Sequence, residues 1–424
     1  MLALSTLFLA FVLAGTLLRL WLSRRQIRAV AANRDTVPAP FAGEISEAQH
    51  RKAADYTIVR SRAGIVETVV EAALLVLWTL GGGLQLVDVV WRSFDVGPLW
   101  TGTSMILSTF LIMGLLALPF SVYRTFVIEE RFGFNKTTPA LFVTDLLKGA
   151  ALTLVLGAPL TFAILWIMRA AGDFWWLYAW LVWTAFSLGL TWAYPAFIAP
   201  LFNRFSPLED ERLRARIEAL LDRCGFRSKG IFVMDGSRRS AHGNAYFTGV
   251  GNNKRIVFFD TLMESLEHGE VEAVLAHELG HFRMRHVRKR LVLGFVFSLL
   301  GFALLGWLEM KPWFYAALGI DTPSHHAAII LFLLVAPVFL FPLTPIGAWL
   351  SRRHEFEADA YAAEQSDARA LIAALVKLYR DNASTLTPDP VHSGFYDSHP
   401  PARTRIARLD ELKAPGFTPS RPDG

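Results

Sequence analysis

Apolar residues in this chain gather into long uninterrupted runs separated by charged connectors. A run of about 20 residues, rising about 1.5 Å per residue as a helix, matches a hydrocarbon core of about 30 Å. Blocks of that kind lie at 2–22, 65–91, 98–123, 145–168, 174–198, 291–309 and 326–350, which predicts seven membrane helices. The polar stretches read differently. Segment 203–229 places Leu208, Leu213, Ile217, Leu220 and Leu221 on one stripe among charged residues, as an amphipathic helix does. Ile231–Met234, Asn244–Val250 and Arg255–Phe259 are short β-rich runs. The turn formers Asp235-Gly236-Ser237 and Gly251-Asn252-Asn253 separate them, so a small sheet containing a hairpin is expected. From Val271 onward VEAVLAHELGHFRMRHVRKR is helical by pattern and leads into the span near Leu291, so one continuous helix is expected there.

The fold class expected from this pattern is an all-α polytopic membrane protein with seven transmembrane helices, carrying a small α+β cytoplasmic domain. Its divisions are a five-helix membrane domain at 1–198, a polar segment with the sheet and the helix that follows it at 199–290, a transmembrane hairpin at 291–350, a second polar segment at 351–414 and a disordered Pro-, Gly- and Ser-rich tail at 415–424. The first apolar block has no Lys or Arg before it, and Arg19, Arg24, Arg25 and Arg28 come late in it or after it, which reads as a retained anchor rather than a cleaved signal.

Composition supports the membrane class, since 53% of residues are hydrophobic against about 45–50% in ordinary soluble domains. Lys and Arg then set the orientation. Segment 24–62 holds Arg24, Arg25, Arg28, Arg34, Arg51, Lys52, Arg60 and Arg62, and loop 124–144 holds Arg124, Arg131 and Lys136. The alternate connections carry only Arg92, Arg169 and Lys311. Positive residues stay cytoplasmic, so the amino terminus is expected outside and both polar segments inside. The net charge of +5 sits beside the spans rather than on a separate basic module, so anionic lipid, not nucleic acid, is the expected partner. The single cysteine, Cys224, excludes an intrachain disulfide and a cysteine metal site.

Chemistry is concentrated at His277-Glu278-Leu279-Gly280-His281, which fits H-E-x-x-H. Histidines at i and i+4 share one helix face and can hold one metal, with Glu278 beside them as general base. A catalytic zinc needs a third protein ligand and one open position. Glu355-Phe356-Glu357-Ala358-Asp359 supplies it: Glu355 ligates, and Asp359, one turn on, accepts from a histidine ring N–H. His281 precedes one span by about ten residues and Glu355 follows the next by about five, so the hairpin returns both to the same side of the membrane.

At these residues the chain resembles the CAAX prenyl protease type 1 family of integral membrane gluzincin peptidases. The likeness extends through IEERFGFNKTT at 129–138, SRRSAHGNAYFTG at 237–249, KRIVFFDTL at 254–262 and YDSHPPARTRI at 396–406. It implies seven helices enclosing a water-filled chamber, one zinc ion at the chamber's cytoplasmic side, and a peptide or lipidated protein as substrate. It also implies that Asn244 and Ala245 lie on an edge strand that receives the substrate, and that His399 stabilises the tetrahedral oxyanion. An oligomer is not implied. Gly243 stands where a serine is common, loop 310–325 is short, and no ER-retrieval signal ends the chain. These features suggest a bacterial plasma membrane, with the ER membrane as the eukaryotic counterpart. A membrane-protein quality-control protease without prenyl preference is the alternative, and a metal-holding transporter is the reading from a different class.

Other polar residues receive plainer readings. His286, amid Arg283, Arg285, Arg288 and Arg290, is expected on a basic interfacial surface, and His354 projects away from Glu355 as polar packing. His242 is read as either a substrate-orienting or a turn-stabilising residue. Glu67, Glu71, Gln85 and Asp88 sit in the second span and are expected to line a cavity. Phe174, Trp175, Trp176 and Tyr178 read as an interfacial aromatic belt.

Overall fold

The computed structural model describes residues 2–248 and 255–412. The hairpin turn at 251–253 and the tail at 415–424 lie outside the described residues. The membrane part comprises α1 (Leu2–Ala32), α2 (Glu47–Trp78), α3 (Gly83–Arg92), α4 (Pro98–Tyr123), α5 (Pro139–Ala170) and α6 (Trp175–Ala193), followed by the short α7 (Ala199–Phe202). A capping box at Ser46 and Gln49 starts α2. The polar part begins with β1 (Phe205–Pro207), α8 (Glu211–Arg223), β2 (Ile231–Met234), β3 (Ala245–Thr248) and β4 (Arg255–Phe259). After it come α9 (Asp260–Ser265) and α10 (His268–Arg283). The chain then re-enters the bundle through α11 (His286–Glu309), α12 (Pro312–Ala316) and α13 (His325–Leu340). It closes with α14 (Thr344–Gln365), α15 (Ala368–Asp381), α16 (Pro390–Tyr396) and α17 (Ala402–Leu412).

Six helical stretches are long and apolar enough to cross a membrane, and the pair α2–α3, bent by 47°, makes a seventh. The predicted second span is thus a broken one, interrupted where Gly82 takes a left-handed φ of 79°. The last span also outruns its expected end, because α14 continues α13 past the 3₁₀ turn Phe341–Leu343 as far as Gln365. Leu13, Val155 and Leu300 point outward at 61, 67 and 60% exposure, which suits a surface facing lipid tails rather than water. Phe8, Met105, Leu165, Trp175, Leu305 and Tyr315 fill the space between the spans.

Helices and part of the polar segment line an open cavity of about 950 Å³, whose walls include Arg19, Tyr56, Arg60, Glu67, Asn382 and His399. It is a polar cavity of the kind the resemblance implied, lined from α1, α2, the end of the α4 span, α14 and the carboxyl-terminal segment. The in-span polar residues divide: Glu67 lines this cavity and Glu71 a smaller one, as expected. Asp88 and Gln85 do not. Asp88 is buried between His326 at 2.7 Å and Arg92 at 2.7 Å, and the half-buried Gln85 accepts from the Asp321 N–H at 3.1 Å, so both pair with neighbours.

The sheet runs β1-β2-β4-β3, with β2 parallel to β4 and the other two pairings antiparallel. β3 is an edge strand. Segment 203–229 is not helical throughout: its first residues form β1 and only then does α8 begin, with Leu213, Ile217 and Leu220 fully buried. That stripe, Ile256 and Phe258 of β4, and Val271, Ala276 and Leu279 of α10 make one core. The back of the metal helix is therefore fixed by the sheet and by α8.

Candidate metal centre

α10 opens with a capping box at Glu267 and Glu270 and buries most of its middle, from Glu270 to Gly280. It crosses α14 at close range. A Cβ built on Gly280 would lie 2.9 Å from the Ala358 Cα, a contact that side chains essentially never make. The glycine between Leu279 and His281 thus lets two backbones meet where their polar faces look at each other.

The approach brings His277 and His281 against Glu355. One ligand atom from each lies within 4.8 Å of the others. His277 Nε2 is 3.4 Å from Glu355 Oε2, and His281 Nε2 is 3.2 Å from Glu355 Oε1. Ligands about 2.1 Å from a shared tetrahedral ion stand about 3.4 Å apart, so these spacings fit a single cation. Glu355 Oε2 is also buried with no hydrogen-bond partner, which is costly unless a cation satisfies it. The donor set, two imidazoles and a carboxylate, suits a borderline divalent ion.

Support around the three residues is extensive. Asp359 Oδ1 lies 2.9 Å from His277 Nδ1, so Nδ1 carries the proton and Nε2 is left for the cation. Arg405, from α17, holds Asp359 with Nε to Oδ2 at 2.8 Å and Nη2 to Oδ1 at 2.6 Å. Burial disfavours a charge on His277, but the hydrogen bond to Asp359 and the facing Glu355 carboxylate outweigh that, and in the metal-free chain its pKa is pushed up to about 9. Burial pushes the Glu278 carboxyl above the usual carboxylate range, and the neighbouring His277 and His281 partly offset it. A carboxylate tuned upward accepts protons more readily near neutral pH.

His286 departs from its expected place on a basic surface. The helix expected to run unbroken through 271–309 breaks at Arg285, a non-glycine residue at φ 58°, and α11 restarts at His286. The break turns His286 inward, where it is completely buried, with Nδ1 3.0 Å from His281 Nδ1 and Nε2 2.9 Å from Glu357 Oε2. If His281 ligates through Nε2, its Nδ1–H donates to His286, whose own Nε2–H donates to Glu357. His354 is the polar packing residue expected, its ring stacked on His286 at 4.0 Å. Sequence reasoning missed His286, Glu357 and Arg405. An offset of five residues, His281 to His286, falls off a shared helix face, Glu357 stood in its motif without a role, and so did Arg405 in YDSHPPARTRI.

His399 follows α16 and faces the cavity, its Nε2 3.5 Å from Glu355 Oε2 and its Nδ1 3.0 Å from Ser398 Oγ. Ala245 begins the edge strand that packs on α10, while Asn244, expected on that strand, lies immediately before it. Asn244 Oδ1 accepts from the Ala245 N–H at 2.8 Å, holding a donor that an incoming strand would otherwise meet. His242 does not reach the cluster: it stacks on Phe134 at 4.3 Å and meets Asn382 Oδ1 at 3.2 Å, anchoring the approach to β3.

An H-E-x-x-H helix and a carboxylate helix converging beside a chamber in a multi-span bundle define an integral membrane metallopeptidase. Residues 26–204 match the profile described as CAAX prenyl protease N-terminal, five membrane helices, and residues 207–413 match peptidase family M48. The chain is 34% identical to an Arabidopsis thaliana CAAX prenyl protease 1 homolog over 94% of its own length and 96% of that protein's. Identity to Saccharomyces cerevisiae CAAX prenyl protease 1 is 39%, over 70% and 69% of the two chains. The crystal structure of S. mikatae Ste24p superposes with a TM-score of 0.87 at 30% identity, covering 96% of this chain and 98% of that one. The chain belongs to the CAAX prenyl protease family within peptidase family M48, and it is a multi-pass membrane metalloprotease.

Proposed function

We propose that this protein is a zinc endopeptidase that cleaves near the carboxyl termini of prenylated or otherwise membrane-associated proteins, at the cytoplasmic face of its membrane. His277, His281 and Glu355 hold the ion, Asp359 orients His277, Glu278 is the general base and His399 the oxyanion donor. The observation that carries the reading is the convergence of three ligand atoms on one point, with the buried Glu355 Oε2 lacking a hydrogen bond. Bound zinc lowers the pKa of a water toward about 7 and polarises a carbonyl.

The chain's own residues do the rest. Glu278, desolvated and adjacent to the ligands, accepts the water's proton and delivers it to the leaving amine. His399, with Ser398 Oγ on Nδ1, offers Nε2–H toward the chamber, where a carbonyl oxygen becomes an oxyanion. The free edge of β3 takes an extended peptide by strand addition, once Asn244 releases the Ala245 N–H. The relatives' names favour a prenylated substrate over general quality control. The cytoplasmic placement is supported by the Lys and Arg asymmetry of the loops.

The test is turnover of a farnesylated peptide and its unprenylated twin by purified protein in detergent, with metal content measured alongside. One zinc per chain and faster cleavage of the farnesylated peptide are expected. Cleavage at equal rates removes the prenyl preference, and a loaded enzyme that cleaves neither removes the peptidase reading.

A further inference from the structure

The direction of a peptide on β3 decides where its ends go. β3 pairs antiparallel with β4 on one side, and antiparallel addition on its free edge, the commoner pairing, sets the peptide's carboxyl end beside the start of β3 at Ala245. Just before Ala245 the chain passes Gly243 and His242. Asn382 Oδ1 accepts from the Gly243 N–H at 3.1 Å, and the His242 ring lies 6.4 Å from that of Tyr56. One helical turn beyond Tyr56 on α2 stands Arg60. Its Nη1 meets the Tyr56 hydroxyl at 3.5 Å, and that hydroxyl donates to Glu129 Oε1 at 2.6 Å. Arg60, Tyr56, Asn382 and His399 line the same cavity, so this wall is continuous with the metal centre.

Three arginines line that cavity. Arg124 is paired with Glu67 at 2.6 Å, and Arg19 lies over the Phe341 ring at 4.3 Å. Arg60 is exposed into the cavity and forms no ion pair among the described residues; its neighbour is the Tyr56 ring, 5.2 Å from the guanidinium carbon. Arg60 lies on α2 just ahead of the span predicted from residue 65, so its exposed guanidinium is open to an anion that enters the cavity. Its two parallel N–H groups match one carboxylate.

We infer that Arg60 binds the free α-carboxylate of the substrate's carboxyl terminus, making the enzyme selective for peptide bonds a few residues from a chain end. The inference rests on the strand-addition reading above. It explains how an endopeptidase chamber measures distance from a terminus: an extended chain advances about 3.3 Å per residue, and an anchored end fixes which bond lies at the metal.

The experiment compares matched peptides ending in a free acid or a carboxamide, cleaved by the metal-loaded full chain in detergent, with wild type, Arg60→Gln and Arg60→Lys. Wild type should prefer the acid by about 10-fold or more in kcat/KM, mainly through KM, the scale of a hydrogen bond to a charged group. That ratio should fall to about one in Arg60→Gln and be partly kept in Arg60→Lys. Equal cleavage of acid and amide by wild type, or an acid preference surviving in Arg60→Gln, overturns the inference while leaving the peptidase reading intact. Wild type that is fully loaded and cleaves neither peptide overturns both.

Discussion

Arg405 holds Asp359 through two parallel hydrogen bonds, 2.8 and 2.6 Å long, in a site where both side chains are almost fully buried. Removing the arginine strands a buried carboxylate that already faces His277. Arg405→Met should cost about 3–5 kcal/mol of stability, as breaking one side of a buried pair does, and weaken metal binding by about 10–100-fold. Denaturant unfolding and chelator competition measure the two effects. Unchanged metal affinity would show that Asp359 orients His277 without help.

Glu278→Gln keeps the shape of the side chain and removes its basicity. Metal content should remain at the wild-type level while kcat falls by about 10²–10⁴-fold, the range of general-base contributions. A variant with full turnover would refute the assigned role.

Gly280 is where α10 and α14 touch, so volume added there separates His281 from Glu355. Gly280→Ala places a Cβ 2.9 Å from backbone and should cost about 1–3 kcal/mol by overpacking. Gly280→Val should also lose metal. Calorimetry with metal analysis decides it, and a Val variant that binds metal normally would show the helices free to part.

Metal loading should depend on pH with a definite sign. Below about 9 the metal-free His277 is protonated, and a cation must displace that proton, so apparent affinity should rise about tenfold per pH unit between about 7 and 9 and then level. Stability of the metal-free form runs the other way. Its folded pKa lies above the ordinary histidine value, so the proton's contribution is complete below about 6.5 and is lost as pH rises through about 9. Chelator-buffered titrations at several pH values, with proton release recorded, test this; a flat affinity profile would contradict it.

The spans were readable because a hydrocarbon slab demands apolar runs of fixed length, a constraint written directly into residue order. The same holds for the edge hairpin and the ligand motifs. His277 and His281 share a face because covalent helix geometry puts i and i+4 together, and Glu355 and Asp359 repeat the rule on α14. The broken second span was legible only in part, since three consecutive glycines, Gly81, Gly82 and Gly83, mark a weak point without giving its angle of 47°.

Sequence by itself therefore determined the membrane class and pointed to the three side chains, His277, His281 and Glu355, that the fold brings together. Tertiary structure decided which distant groups serve that chemistry. Arg285 breaks a pattern that reads as continuous helix, carrying His286 from an expected surface into contact with His281, and α17 delivers Arg405 to Asp359 from 46 positions away. Neither contact leaves a periodic trace, because long-range packing is set by how whole helices meet rather than by the spacing of residues within one.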